Sequence, residues 1–256
     1  MLLETNNPIK WPVLGVPPIV MAIFQIRFEK NENDLELFLK LDAQLRLEYP
    51  IKEDNIQASI DVGQNTIALG VSKFTGTSNA KITGYTYYSN DKRRKLIVEE
   101  GSVTFTDENK YEGWVSFKGF ISKYVRLFSF LNNKKVNRTS IRFINQFVFD
   151  SFENPIEYFN TTVASSQGSD FPYPLARYGF NLVLNIPDSS IYCNINHNLD
   201  NPNSDKYIYM FDIDVLDRFE IKFDEQTLLS SFERLREIKN NIFFSSITDK
   251  TKELCN

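Results

Sequence analysis

The stretch PPIVMAIFQIRFEK, residues 17–30, is the most apolar in the chain and lies almost at its start. It must be either a membrane or export element or the first piece of a folded core. An export signal needs a basic lead, an unbroken apolar run and a small-residue cleavage site. Here Glu4, Trp11-Pro12 and Pro17-Pro18 precede the run, and the prolines interrupt any helix. The apolar residues 19–26 are too few to span a bilayer, and Gln25 and Arg27 break them. The stretch therefore reads as a strand: Ile19, Val20, Ile23, Phe24, Ile26 and Phe28 are β-branched or aromatic. Its near-continuous apolarity predicts a central strand buried on both faces. Residues 1–16 are expected to form an extended arm over the domain.

After this strand, Asn31 or Asn33 can cap a helix in which Leu35, Phe38, Leu41 and Leu45 recur at helical spacing, closed by Pro50. Strand patterns follow at 57–62, 66–74, 81–89 and 95–106, with Asn90-Asp91 and Gly101 at turns. The segment 114–131 then places Trp114, Phe117, Ile121, Tyr124, Val125, Phe128 and Leu131 on one helical face. The basic stretch NNKKVNR links to a second strand, TSIRFINQFVFD. Residues 155–160 predict a short helix, and strands are expected at 177–186, 190–196 and 207–219, with a turn at Pro187-Asp188-Ser189. Asp224 caps a last long helix carrying Leu228, Phe232, Leu235, Ile238 and Ile242, with Glu225 near its positive end.

Each half thus runs strand, helix, antiparallel strands, long helix. The expected fold is α+β: an arm at 1–16, a first half at 17–136 and a second at 137–256, packed as one unit, with curved antiparallel sheets backed by the long helices. The repeat is one of element order, with little residue identity between the halves. The layout resembles the duplicated architecture of the TATA-binding protein, an analogy of fold that says little about function.

Pro17-Pro18-Ile19-Val20 running into Ile26-Arg27-Phe28, then Ile141-Arg142-Phe143-Ile144-Asn145, Phe211-Asp212-Ile213-Asp214 and LREIKNNIFFSSIT occur in that order. Together they resemble a sporadically distributed prokaryotic family of similar length, from Pro17 to the C-terminus. Gln146 stands where the resemblance would put a basic residue. The resemblance implies no particular activity. Its patchy distribution implies an accessory gene of the kind found in defence or toxin–antitoxin loci, with a protein partner encoded nearby. On this basis Arg27, Arg142 and Asn145 are candidate partner or ligand contacts.

The chain is 42% hydrophobic and 14% aromatic, ample for a core, and its net charge of −4 does not mark it as a nucleic-acid coat. Chemistry is sparse. The single histidine, His197, lies four residues after Cys193, but residues on one strand need not converge, and an exposed hairpin histidine is the plainer reading. Cys193 and Cys255 are the only cysteines and fit free thiols in a reducing cytoplasm. Asp212 and Asp214 share a strand face and are the sole weak metal candidates, with Asp217 and Glu220 nearby; a solvated sheet face is the plainer reading, and no metal or cofactor is expected. Arg27 and Arg142 hold corresponding places in the two opening strands and need partners, such as an aspartate of 212–217. Lys92, Arg93, Arg94 and Lys95 form a basic hairpin tip beside Tyr85, Tyr87 and Tyr88, the one feature suggestive of nucleic acid. Three functions compete: a non-enzymatic interaction or sensing module, a nucleic-acid binder using the tip or the sheet, and a metal-dependent hydrolase built on Asp212 and Asp214.

Overall fold

The computed structural model describes residues 11–62, 65–71, 80–109, 111–132, 134–150, 155–161, 177–200 and 206–256. It is an α+β fold organised on one antiparallel sheet. The strands are β1 (Ile19–Phe28), β2 (Ile51–Val62), β3 (Asn65–Val71), β4 (Ala80–Tyr88), β5 (Arg94–Glu99), β6 (Ser102–Glu108), β7 (Lys135–Phe149), β8 (Arg177–Asn185), β9 (Ile191–Asp200), β10 (Tyr207–Asp217) and β11 (Ile221–Lys222). The helices are α1 (Asp34–Leu39), α2 (Asp42–Leu45), α3 (Trp114–Leu127), α4 (Glu225–Ser246) and α5 (Asp249–Glu253). Across the sheet the order is β3-β2-β4-β5-β6-β1-β7-β10-β9-β8, with β11 added to β7. The two opening strands therefore pair with each other at the centre, with Gln25 opposite Ser140 and Ile23 opposite Arg142. Both halves contribute to one sheet; they do not build one each.

The opening stretch is central, as its composition suggests, but it is not buried on both faces. Ala22, Phe24, Ile26 and Phe28 are buried, while Met21, Ile23 and Gln25 are half-buried and Arg27 is exposed. The alternation of β7 is the same: Ile141, Phe143, Asn145, Phe147 and Phe149 face the core. Apolar residues on the second face misled the reading, because a helix-free face of a wide sheet still tolerates Ile and Met.

All the helices among the described residues lie on one side. Phe120 of α3 meets Phe105 edge-on at 5.4 Å, and Phe38 of α1 meets Phe128 at 5.1 Å. On α2 Asp42 takes the hydroxyl of Tyr87 at 2.8 Å, and beside α5 Tyr158 packs on Phe149 at 4.6 Å. Helix α4 starts as expected: the Asp224 side chain accepts from Thr227 N at 2.9 Å. Glu225 then binds Ser122 and Arg126 of α3, each at 2.6 Å, while Glu233 takes Trp114 Nε1 and Lys118, so the two long helices are fastened at two levels. The stripe that α4 buries runs through Leu228, Phe232, Leu235, Lys239, Asn240 and Phe243, one residue round from the Ile238–Ile242 edge that apolarity alone would select. The expected single helix after Asn33 is two short ones, broken where Asp42 turns to hold Tyr87 and Lys52.

The strand expected at 95–106 is a hairpin. Gly101 makes its turn at φ +81, where a Cβ would sit 3.2 Å from the Phe28 carbonyl. Asp188 turns the β8–β9 hairpin at φ 55, within the expected Pro187-Asp188-Ser189. Of the N-terminal arm, residues 1–10 fall outside the described residues. The remainder runs past the C-terminus, with Val16 N donating to Cys255 O at 2.7 Å. Residues 72–74 of the second expected strand are also outside the described set. Among the described residues no helix is long and apolar enough to cross a membrane.

Candidate functional site

With the described helices on one side, the opposite sheet face carries four of the sequence's candidate residues, Arg27, Arg142, Asp212 and Asp214. Side chains alternate, so the even residues of β7, β9 and β10 and the odd residues of β1 point to it. At its centre Arg142 grips Asp212 with two hydrogen bonds, Nε to Oδ1 at 2.9 Å and Nη2 to Oδ2 at 2.7 Å. Asn196 of β9 donates to the same Oδ2 at 3.2 Å, and Asn181 of β8 donates to Asn196 Oδ1 at 2.7 Å. A continuous polar ladder thus crosses four strands from β7 to β8. A structural partner for Arg142 in the 212–217 strand is what the sequence required. The pair raises the Arg142 pKa through its bond to Asp212.

The same face carries a second cluster. Gln25 Oε1 accepts from Arg27 Nε at 3.1 Å and from Arg138 Nη2, while Gln25 Nε2 donates to Thr104 at 3.0 Å. Two buried atoms here have no hydrogen-bond partner among the described residues: Arg138 Nε and Asp214 Oδ1. Burial pushes the Asp214 carboxyl above the usual carboxylate range, opposed by Arg142 and Arg138. Burial also lowers the Arg138 guanidinium pKa, and the neighbouring Arg27 lowers it further. Buried polar atoms are nearly always satisfied, so both atoms are exceptions that this face carries.

The metal reading fares differently. Asp212 and Asp214 do share a face, but the Arg142 guanidinium occupies the position a cation would take against Asp212. No third ligand completes a group of three His, Cys, Asp or Glu among the described residues. His197 is on the other face, fully buried, with its ring between Phe180 and Phe211 at 4.5 and 4.6 Å. Its Nδ1 lies 2.7 Å from the Tyr209 hydroxyl, and burial drops its pKa to about 4. It is a core histidine, not the exposed hairpin residue expected. Cys193 shares that face, with its thiol pushed up to about 12 by burial, far from the activated thiolate a dyad needs.

The basic tip is less free than its sequence suggests. Arg93 reaches Glu112 at 3.0 Å and Asp107 at 3.7 Å. Arg94 bonds Ser116 at 2.8 Å and approaches Asp107 at 3.4 Å, and Lys95 takes Glu108 at 2.6 Å. Asp107 is only 1% exposed, so these arginines serve a buried carboxylate. Lys92 sits at the turn itself, φ 56.

Asn145 departs from the other two family-suggested positions. It is 2% exposed on the helical side, where its Nδ2 donates to the carbonyls of Phe211 at 2.9 Å and Phe143 at 3.4 Å. The sequence reading missed Gln25, Arg138, Asn181 and Asn196. A signal was present for two of them: Arg138 falls four residues before Arg142 and Gln25 two before Arg27, hence on the same strand faces.

Comparison of the chain with protein-family models, curated protein sequences and solved structures returns no match.

Proposed function

We propose that this chain is a non-enzymatic interaction or sensing module, and that it recognises a protein partner on the helix-free sheet face. One observation carries the reading: Arg27, Arg138 and Arg142 gather there in a chain of net charge −4, with Arg138 Nε and Asp214 Oδ1 left unpaired. Arg142 preset on Asp212, with Arg27 and Arg138 held by Gln25, suits a surface rich in carboxylates and carbonyls, with Asp214 offering one acceptor for a donor in return. Both opening strands lie at the centre, flanked by β6 and β10, and each half closes with a long helix. That order supports a duplicated, TATA-binding-protein-like layout with Gln25 and Ser140 at the approximate two-fold. The accessory-system setting, anti-phage defence or toxin–antitoxin, is carried by the family resemblance. A cytoplasmic setting fits the free, buried Cys193 and Cys255.

The test pairs the purified chain with the products of adjacent genes. Arg27→Glu reverses an exposed charge whose single hydrogen bond is to Gln25, so folding is preserved. A stoichiometric complex weakened tenfold or more by Arg27→Glu, at unchanged Tm, is the expected result. A complex indifferent to Arg27→Glu, or binding of oligonucleotides with a steep salt dependence in its place, would refute the assignment.

A further inference from the structure

We infer that the cavity between the 11–18 segment and α4 is a binding site for a small carboxylate with an aromatic or apolar body. The site lies on the helical side and does not rest on the partner-surface reading. The cavity is about 260 Å³, room for a one-ring molecule and just below the usual range of small-ligand pockets. Leu14, Tyr111, Trp114, Phe143 and Phe244 supply apolar wall.

Three polar side chains, each more than nine-tenths buried, line the same space: Asn145 at 2% exposure, Lys239 at 7% and Asn240 at 7%. Lys239 has no carboxylate within ion-pair distance among the described residues. Its Nζ lies 4.2 Å from the Phe143 ring centre and 5.9 Å from that of Phe243. The charge closest in its electrostatics is Arg236, of the same sign and also on the cavity wall. Asn145 spends its amide nitrogen on two carbonyls, and among the described residues no donor reaches its oxygen. The Asn240 side chain makes no hydrogen bond among the described residues.

A lysine this buried is ordinarily paired. Among the described residues the counter-charge is missing, the neighbouring cation Arg236 already pairs with Glu233 at 3.5 Å, and the walls are aromatic. A ligand carboxylate supplies the missing charge: one oxygen meets Lys239, and the other is within the chemistry of Asn240 and Arg236 as donors. The ring or chain of the ligand takes the apolar wall. A phosphate would bring more charge than Lys239 neutralises beside an Arg236 already paired with Glu233, and no apolar body to fill the space. Burial holds the free amine near pKa 7, so a bound carboxylate restores the ammonium.

The experiment uses the full chain with phenylacetate, benzoate and hexanoate as probes and phenylacetamide as the uncharged control. Thermal unfolding should shift upward, saturably, with at least one carboxylate and not with phenylacetamide. Lys239→Met keeps an apolar side chain in the cavity and should abolish the shift. Independently of any variant, acetylation of Lys239 by acetic anhydride, read by peptide mass spectrometry, should slow at least threefold in the presence of the active carboxylate. No shift with any of the three carboxylates, an equal shift with phenylacetamide, a shift retained in Lys239→Met, or unchanged Lys239 acetylation would each overturn the site.

Discussion

Arg142 holds Asp212 diagonally: the register places Arg142 opposite Asp214 and Asp212 opposite Ile144, yet both hydrogen bonds go to Asp212. The two ends of the pair differ in burial, the Asp212 side chain being 9% exposed and the Arg142 side chain 43%. Losing the arginine strands a buried carboxylate, whereas losing the aspartate leaves a cation that water can reach. Arg142→Ala is therefore expected to cost about 2–3 kcal/mol, discounted for the exposed end from the value of a fully buried pair. Asp212→Ala should cost about 1 kcal/mol. Urea denaturation of both variants checks the asymmetry, and equal costs would argue against it.

Burial of β1 on a single face sets a contrast between neighbours. Phe24→Ala, on the helical face, should lose about 3–5 kcal/mol. Ile23→Asp should remain folded and soluble, because Ile23 is only half-buried and its carboxylate would stand opposite Arg142. This reverses the expectation for a strand buried on both faces, in which a carboxylate at 23 abolishes folding. Soluble yield and the denaturation midpoint of the two variants decide between them.

The α+β class, the central place of the opening strand, the Asp224 cap and the partner of Arg142 were legible because each rests on local chemistry or on period, whereas the helix expected at 155–160 is only a 3-10 turn over Pro155–Glu157. What escaped was set by long-range pairing. Nothing local told that β1 and β7 would meet, so the joining of both halves in one sheet was hidden, and with it the convergence of Gln25, Arg27 and Arg138. His197 looked exposed because its neighbours Asn196 and Asn198 are polar; alternation buries every second residue of β9, and 197 falls on the core side. Lys239 was concealed by its type, although the spacing Leu235, Lys239, Phe243 places it in the buried stripe of α4.

The buried His197 makes stability sensitive to acid. Its folded pKa, about 4, lies below the ordinary 6.5, so the unfolded chain binds the proton more readily between those values. The contribution is whole above pH 6.5 and is lost as pH falls toward about 4. Wild type should lose on the order of 2–3 kcal/mol more than His197→Gln across that window. Parallel stability–pH curves for the two proteins would contradict the burial of the ring.

Lys239 has the same sign at higher pH. Its folded pKa of about 7 lies below the ordinary 10.5, so stability rises with pH between them and is lost on descending to neutrality. Relative to Lys239→Met, the wild type should gain on the order of 3 kcal/mol from about pH 7 to about pH 9.5. A constant difference between the two proteins would show that the amine is solvated.

The recognition face is tested most directly by hydroxyl-radical footprinting of the chain alone and in complex with its partner. Met21 and Met210 are half-buried on the helix-free face, while Trp114 lies on the helical side against Glu233. The expected result is a severalfold loss of oxidation at Met21 and Met210 with Trp114 unchanged. Protection of Trp114 with Met21 and Met210 unaffected would contradict the assignment and move the interface to the helical side.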